Sequence, residues 1–242
     1  MSIARTIGHM LGYDVFRHER QARIETHLAE LFPRLGVNVV VDAGANAGQY
    51  GRLLRQNGYT GRIISYEPLE SVFGQLETAA RGDDAWTARR FALGSEKGSA
   101  TIRMSPDTSW SSLRAFSDFG KRRFTEQDRE AVEEQIEVVR LDADLPGLIA
   151  DMDAPRIYLK MDTQGFDLEV FAGAERVLGS VAGLQSEVAF QQIYAGVPNY
   201  REALKTFEDA GFAVTGLFPV KRDRKSLRMI EMDCVMRRVD EA

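Results

Sequence analysis

The sequence predicts an α/β fold built around a mostly parallel β-sheet. Short, wholly apolar or β-branched runs, "NVVV" before Asp42, "RIIS" before Tyr66 and "RIYL" before Lys160, have the composition of strands buried on both faces. Between them lie segments of helical periodicity, so strand and helix alternate through the first hundred residues. The chain then ends in two strand-like segments joined only by "KRDRKS", which implies an antiparallel hairpin at the edge of the parallel sheet.

The elements follow in order. Residues 19–35 place Ile24, Leu28, Leu31 and Leu35 at helical spacing. "NVVVDAG" is the first strand, and "GQYGRLLRQNG" a helix that Gly58 ends. "GRIISYEP" is the second strand, "LESVFGQLETAA" a helix, and "AWTARRFALG" holds a third strand. "GSATIRMS" reads as extended. The alternation then stops, because "PDTSWSSLRAFSDFGKRRFTEQDREAVEEQ" is polar, highly charged and without clear periodicity until its end. Loops this long are uncommon in compact domains and often functional, so the stretch is either a mobile loop or an excursion covering a site. "IEVVRLD" returns to strand character. "RIYLKMDTQG" is a buried strand followed by the helical "FDLEVFAGAERVL". "GLQSEVAF", "NYREALKTFEDAG", "FAVTGLFPV" and "LRMIEMDCVMRR" complete the chain as strand, helix, strand, strand. The expected organisation is a helical extension over residues 1–36 and a main domain over 37–242, with 105–135 as excursion or lid.

A chain of 242 residues with 44% hydrophobic and 28% charged residues can bury a core without disulfides or metals. Its net charge of −5 argues against a nucleic-acid partner, which needs a concentrated basic face. The single cysteine, Cys234, has no internal partner and fits a reducing compartment, so the expected location is the cytoplasm. No apolar run approaches the ~20 residues of a membrane span. The N-terminal helix is expected to pack on the domain, and it also offers a contact for a homodimer.

The stretch "VVVDAGANAGQYG" poses the functional question. A glycine loop at the carboxyl end of a strand, opening onto a helix, is where open α/β sheets bind ligands. Gly44 and Gly48 allow a sharp turn and close approach to the backbone, and the helix N-terminus favours a negative group. The spacing Gly44-x-Asn46-x-Gly48 does not match the dinucleotide fingerprint G-x-G-x-x-G. Glu67 ends the next strand, where a carboxylate can accept hydrogen bonds from both hydroxyls of a ribose. Alternatively, it is an acid before the helix "PLESVF" that favours the macrodipole. A dinucleotide and S-adenosylmethionine (SAM) both carry a ribose. Asp42 beside the loop would repel a pyrophosphate and attract the amino group of a methionine moiety, and the closing hairpin also suits a methyltransferase sheet better.

Together these segments make the chain similar to the FkbM family of SAM-dependent methyltransferases. The matching pieces are "VVDAGANAGQY", "GRIISYEPLESVF", "FALGSEKG", "SSL" at 111–113, "VVRLD", "IYLKMDTQGFDLEVFAGAERVL", "LQSEVAFQQIYAG" and "EMDCVMRR". They keep the family's order from about residue 11 to 238, and the pairing of D-x-G-A-N-x-G with K-x-D-x-Q-G-F is the specific part. The resemblance implies a class I methyltransferase fold, a Rossmann-like three-layer sandwich whose seven-stranded sheet has an antiparallel last strand. Carried over by position, Asp42, Gly44, Ala45, Asn46 and Gly48 would line the methionine end of SAM. Glu67, followed by Pro68, would hold the ribose, Ala92 would lie near the adenine, and Asp162 would face the reacting end. Tyr66 and Asp167 stand where the family often has phenylalanine and glutamate, and neither is expected to disturb SAM binding. The family is biased toward hydroxyl acceptors, including sugars and sugar-like rings.

Methyl transfer from a sulfonium is largely a positioning task, but a hydroxyl acceptor must also lose its proton to a base or metal. His9, His18 and His27 all precede the glycine loop, away from the strand ends, and read as surface or packing residues. The expected catalytic candidates are therefore Asp162 first and Glu187 second. The plain alternatives are a helix cap for Asp162 and a buried hydrogen-bonded acid for Glu187. Lys160, on the same strand face as Asp162, pairs with an acid. Nothing has the spacing of a dedicated metal site, so Mg²⁺ dependence stays open. Trp110, Ser111, Ser112 and Tyr194 are candidates for lining the pocket of a small-molecule or glycan acceptor. "GKRRF" at 120–124 reads as a solvated face, or as an attractor of an anionic acceptor. Two other classes stay open, a nicotinamide-dependent oxidoreductase and a methyltransferase-like partner protein without catalysis.

Overall fold

The computed structural model describes residues 23–239. The expected helix over 19–35 appears as α1 (Ile24–Leu35), and its first residues, with His9 and His18, lie outside the described part. Gly36 ends α1 in the left-handed region, with φ 63°, and its N–H bonds Pro33 O. The alternating pattern continues as β1 (Val39–Ala43), α2 (Gln49–Gln56), β2 (Arg62–Tyr66), α3 (Glu70–Ala80) and β3 (Trp86–Arg89). Further along are β7 (Ile157–Met161), β8 (Val181–Ala189), β9 (Phe212–Arg222) and β10 (Met229–Arg238).

These strands form one seven-stranded sheet in the order β3-β2-β1-β7-β8-β10-β9. The pairs among β3, β2, β1, β7 and β8 are parallel. β10 runs antiparallel to both β8 and β9, so the last strand is inserted inside the sheet and β9 is left at the edge.

Alternate residues of each strand feed two cores, which is why the apolar runs are continuous. Val39, Val41, Ile64 and Leu159 pack with Leu141, Leu145, Val170, Phe171 and Phe207 on one face. Val40, Ile63 and Tyr158 pack with Leu28, Phe32, Leu54 and Leu76 on the other. Helices therefore cover both faces, giving three layers, and α1 is one of the covering helices.

Three segments differ from the sequence reading. "AWTARRFALG" divides: after β3, the pair Ala92–Leu93 is β4, which leaves the main sheet and joins β5 (Gly98–Met104) and β6 (Val132–Val139) in a second sheet of order β4-β6-β5. One face of this arm, Ile102, Ile136 and Val138, packs on Leu69 and Val72, while Glu133 and Glu137 are exposed. Their strand character is legible in the sequence, but it does not say which sheet they join. Residues 141–148 form a helix, α6 (Leu141–Leu148), where no element was expected, because Pro146 and Gly147 sit inside it. The helix expected over 166–178 is short, α7 (Asp167–Ala172), and continues as a 3₁₀ segment, Glu175–Ser180.

The excursion is built of ordered short elements. A 3₁₀ turn at Thr108–Trp110 is followed by α4 (Asp118–Arg123) and α5 (Thr125–Arg129), and β6 begins before position 135. Its backbone pairs with the loop after β8, Ser117 N–H to Ile193 O at 2.8 Å and Ala195 N–H to Ala115 O at 2.8 Å. Helix α8 (Tyr200–Asp209) follows, opened by a capping box of Asn199 and Glu202.

Candidate functional site

The carboxyl ends of β1, β2, β7 and β8 open into a cavity of about 700 Å³. That volume suits a cofactor together with part of a second ligand. Of the residues singled out in the sequence, Gly44, Ala45, Asn46, Glu67, Pro68, Ala92, Asp162 and Glu187 line it. Asp42 and Gly48 do not.

Gly44 has φ 74°, and a Cβ there would lie 2.1 Å from the backbone O of Asp162. The loops after β1 and β7 therefore touch backbone to side, which only glycine permits. Gly48, at φ 81°, packs under Trp86, Leu76 and Ala79, so its role is to seat α2 against α3. Asn46 also has positive φ, 47°. Its side-chain amide donates to Thr108 Oγ1 at 3.1 Å, tying the glycine loop to the excursion.

Glu67 holds the loop from the other side. Its Oε2 accepts the Asn46 N–H and its Oε1 the Leu69 N–H, both at 2.9 Å. Burial pushes its pKa up to about 7, against the two N–H donors that pull it down. Each oxygen keeps a lone pair for another donor.

Asp42 is fully buried. Sheet register sets it opposite Lys160, whose Nζ lies 2.9 Å from Asp42 Oδ1. The same ammonium donates to Gly44 O at 3.2 Å and lies 3.7 Å from Asp162 Oδ2. Burial disfavours its charge, but Asp42 and Asp162 outweigh that and raise its pKa above the ordinary value. Lys160 thus pairs with an acid, as expected, and it joins β1, the glycine loop and the end of β7. Asp42 reaches the cavity only through this lysine.

The loop after β7 carries the second part of the site. Asp162 is 43% exposed at its side chain, and its Oδ1 accepts from Gln164 Nε2 at 3.0 Å. Gln164 Nε2 also lies 3.3 Å from Glu187 Oε2, and Gln164 Oε1 accepts the Tyr194 hydroxyl at 2.8 Å. Gln164 sits at φ 51°, a strained position for a side chain, and its carbonyl accepts Ser112 Oγ at 2.7 Å. Asp167 clamps this loop to β8, accepting from Thr163 N–H at 2.9 Å, Thr163 Oγ1 at 2.6 Å and Ser186 Oγ at 2.7 Å. Arg114 of the excursion donates to Gly165 O at 2.8 Å and pairs with Glu169. Tyr66, the other departure, donates to Asp144 Oδ2 at 2.8 Å on the unexpected helix α6.

The far wall comes from the end of the chain. Asp233 lies opposite Glu187 in register, and Gln185 Nε2 donates to Asp233 Oδ1 at 3.1 Å. Tyr50 from α2 donates to Gln185 Oε1 at 3.3 Å. Lys221 Nζ sits 3.2 Å from Glu231 Oε2 and 3.7 Å from the centroid of the Trp110 ring. Burial first, then the neighbouring Glu231 and Asp162, raise the Glu187 pKa well above the carboxylate range. Burial likewise lifts Asp233 to about 6. Burial thus favours the protonated form of both acids, of Glu187 and of Asp233. Asp233, Gln185, Tyr50 and Lys221 were absent from the sequence reading. The alternation Glu231-Met-Asp233-Cys234 was the one available signal, a polar face on a strand whose other face is buried.

Tyr194 and Trp110 meet above this wall, the tyrosine hydroxyl 3.0 Å from Trp110 O. Trp110, Ser111 and Gln164 line the cavity, whereas Ser112 faces the loop. His27 lies away from it, 2.9 Å from Thr215 Oγ1, as a packing residue of α1. Among the described residues, no group of three or more His, Cys, Asp or Glu side chains is placed to hold a metal ion. No helix among them is long and apolar enough to cross a membrane.

The family model of the FkbM methyltransferase domain matches residues 42–214. No curated protein matches the sequence. Solved structures with a similar chain path include an rRNA methylase from Streptococcus thermophilus, with TM-score 0.46 and 8% identity over 91% of this chain and 99% of that one. Another is Burkholderia thailandensis 1,6-didemethyltoxoflavin-N1-methyltransferase, with TM-score 0.45 and 13% identity over 98% of this chain and 84% of that one. A third is fibrillarin from Aeropyrum pernix, solved with SAM bound, with TM-score 0.44 and 12% identity over 83% of this chain and 66% of that one.

Proposed function

The chain belongs to the FkbM methyltransferase family, and from that premise we propose that it is a SAM-dependent O-methyltransferase acting on a hydroxyl of a sugar, glycolipid or related metabolite. The observation that carries this reading is the single cavity wall shared by Gly44, Ala45, Asn46, Glu67, Pro68, Ala92 and Asp162. It offers a glycine turn with no side chain to block a ligand, a buried carboxylate with lone pairs to spare, and an apolar slot at Phe91, Ala92 and Leu93. These features fit a methionine moiety, a ribose and an adenine. Glu67 would accept the ribose hydroxyls, Pro68 and Ala92 would flank the base, and Gly44 to Asn46 would follow the methionine backbone. When bound, SAM supplies a methyl group already activated by its sulfonium.

The chain's own residues then have three tasks. The excursion and the loop after β8 keep water from the reacting end. Gln164, held by Tyr194, fixes the carboxylate of Asp162. Asp162, the most exposed acid of the group, takes the proton of the acceptor hydroxyl as the methyl group moves. Glu187, whose protonated form burial favours, neighbours it and acts as a hydrogen-bond donor to the acceptor. We read residues 37–242 as the catalytic domain with α1 packed on it, and the cytoplasm as its compartment, consistent with the buried free Cys234.

Calorimetry with S-adenosylhomocysteine (SAH), with NAD as control, tests the cofactor. Binding of SAH and none of NAD is the expected result, and the reverse would revive a nicotinamide enzyme. A screen of hydroxylated acceptors for a mass gain of one methyl then tests the reaction. Asp162→Asn should keep SAH binding and lose turnover, and full activity in that variant would remove Asp162 as the base.

A further inference from the structure

Two segments at the mouth of the cavity carry charge that neither the cofactor nor the methyl transfer uses. Helix α4 supplies Lys121, Arg122 and Arg123. The end of β9 and the turn into β10 supply Arg222, Arg224, Lys225 and Arg228, with Lys221 on the inner side. These eight of the chain's 31 lysines and arginines share the two segments with only Asp118 and Asp223 as acids.

The two segments touch. Arg123 Nε lies 3.7 Å from Asp223 Oδ2, and Lys221 Nζ lies 5.5 Å from the Phe124 ring centroid. Phe124 in turn packs on Trp110, with ring centroids 4.2 Å apart. Trp110 and Lys221 also line the cavity, so the basic rim begins where the cavity wall ends. Asp223 fixes the turn, accepting the N–H of Lys225 at 3.1 Å and of Ser226 at 2.7 Å. Lys221 pairs inward with Glu231, and Arg123 pairs with Asp223. The other six are exposed and pair with no acid among the described residues.

The interior instead presents carboxyl groups, Asp162, Glu187 and Asp233 on its wall with Glu231 behind Lys221. A molecule carrying its negative group into the cavity meets these acids. One carrying it at the end remote from the reacting hydroxyl meets the rim. We propose that the acceptor bears a phosphate or pyrophosphate group, held by Arg122, Arg224 and Lys225 while the hydroxyl end enters the cavity. This rests on the reading of the site as a hydroxyl methyltransferase. Guanidinium groups grip phosphate oxygens in pairs, and an ammonium adds a point charge. The patch is confined to two short segments, which suits one such group rather than a nucleic-acid backbone.

The test titrates inorganic pyrophosphate into the full chain saturated with SAH, by calorimetry at low salt. The variants are Arg122→Glu, Arg224→Glu and Lys225→Glu combined, and Arg224→Gln alone in case the triple variant melts early. Saturable binding to the wild type, weakened by about tenfold or more in the triple variant with SAH affinity unchanged, is the expected result, since one lost charge-assisted hydrogen bond has that effect. No saturable binding, or equal affinity in the variants, overturns the proposal. UDP-glucose and phosphatidylcholine vesicles containing a polyprenyl diphosphate separate a nucleotide-linked from a lipid-linked source. Binding to either supports the proposal, and binding to neither overturns it. An RNA hairpin that binds more tightly than pyrophosphate, and is lost in the same variants, overturns it in favour of a nucleic-acid surface. Failure of SAH to bind the wild type counts against the methyltransferase reading and leaves the pyrophosphate result to be judged by itself.

Discussion

The half of the cavity under the glycine loop and the half under the excursion are made in different ways. The first is local and built largely from backbone. Gly44, Asn46 and Glu67 fall within 24 consecutive residues, and two of Glu67's bonds go to main-chain N–H groups. The second is assembled by side chains from Tyr50, Trp110, Gln164, Glu187, Lys221 and Asp233, gathered from nearly the whole chain, with Tyr194 holding Gln164 from behind. A ligand common to a whole family is best held by backbone, which substitutions leave alone. A ligand that differs between members is best met by side chains on separate strands, each free to vary.

The largest expected effect falls where the halves join. Lys160→Met leaves Asp42 buried without its cation, and should cost about 3–5 kcal/mol of stability by denaturant titration. A loss under about 1 kcal/mol would mean that the two halves are not tied through this pair. Gly44→Ala comes next. A Cβ that meets Asp162 O at 2.1 Å must push the two loops apart. SAH affinity should fall ~100-fold or more, with strain of about 1–3 kcal/mol in the melt. Normal SAH affinity would show that the loops' approach is incidental.

Glu67→Ala removes the acceptor of two loop N–H groups and should weaken SAH by about 100-fold, with unchanged affinity by calorimetry removing it from the cofactor half. Its pKa of about 7 adds a sharper reading. Ribose hydroxyls are better held by the ionised carboxylate, so SAH affinity should fall as the pH drops below about 7, and the fall should vanish in Glu67→Gln.

The smallest effect belongs to the side-chain half. Glu187 ionises less readily in the folded chain than in the unfolded one, so between the ordinary 4.5 and its raised value the native state binds more protons. Stability therefore falls as pH rises through that window. Glu187→Gln mimics the protonated acid, so it should be within about 1 kcal/mol of wild type at neutral pH and lose part of that fall. A large destabilisation at neutral pH would show that the ionised form is the native one.

The same contrast sets what the sequence could disclose. A β-branched run followed by Asp-x-Gly-Ala-Asn-x-Gly states its strand, its turn and its ligand-facing backbone in adjacent letters. Glu67 was legible for the same reason, as the acid at a strand's end. Asp42 was legible as a carboxylate but not as Lys160's partner, because that pairing depends on the register of β1 against β7. Asp233 and Lys221 were hidden further. Their places follow from β10 lying between β8 and β9, a fact about topology that no local window contains. The excursion's lack of periodicity was real, since its short helices are too brief to show one, yet that same feature concealed how firmly Arg114 and Ser112 anchor it.

The insertion of β10 has a consequence for biosynthesis. β9 leaves the ribosome before the strand that connects it to the sheet. At roughly 5–20 residues per second, the chain spends on the order of a second with β9 complete and its neighbour absent. During that interval β8 has an open edge, and Val214, Leu217 and Val220 of β9, which stay exposed even in the finished fold, have no sheet beneath them. Asp233 joins Asp162 and Glu187 on the cavity wall only when β10 pairs between the two. Translation of β10 is thus the step that adds Asp233 to the cavity wall and closes the open edges of β8 and β9.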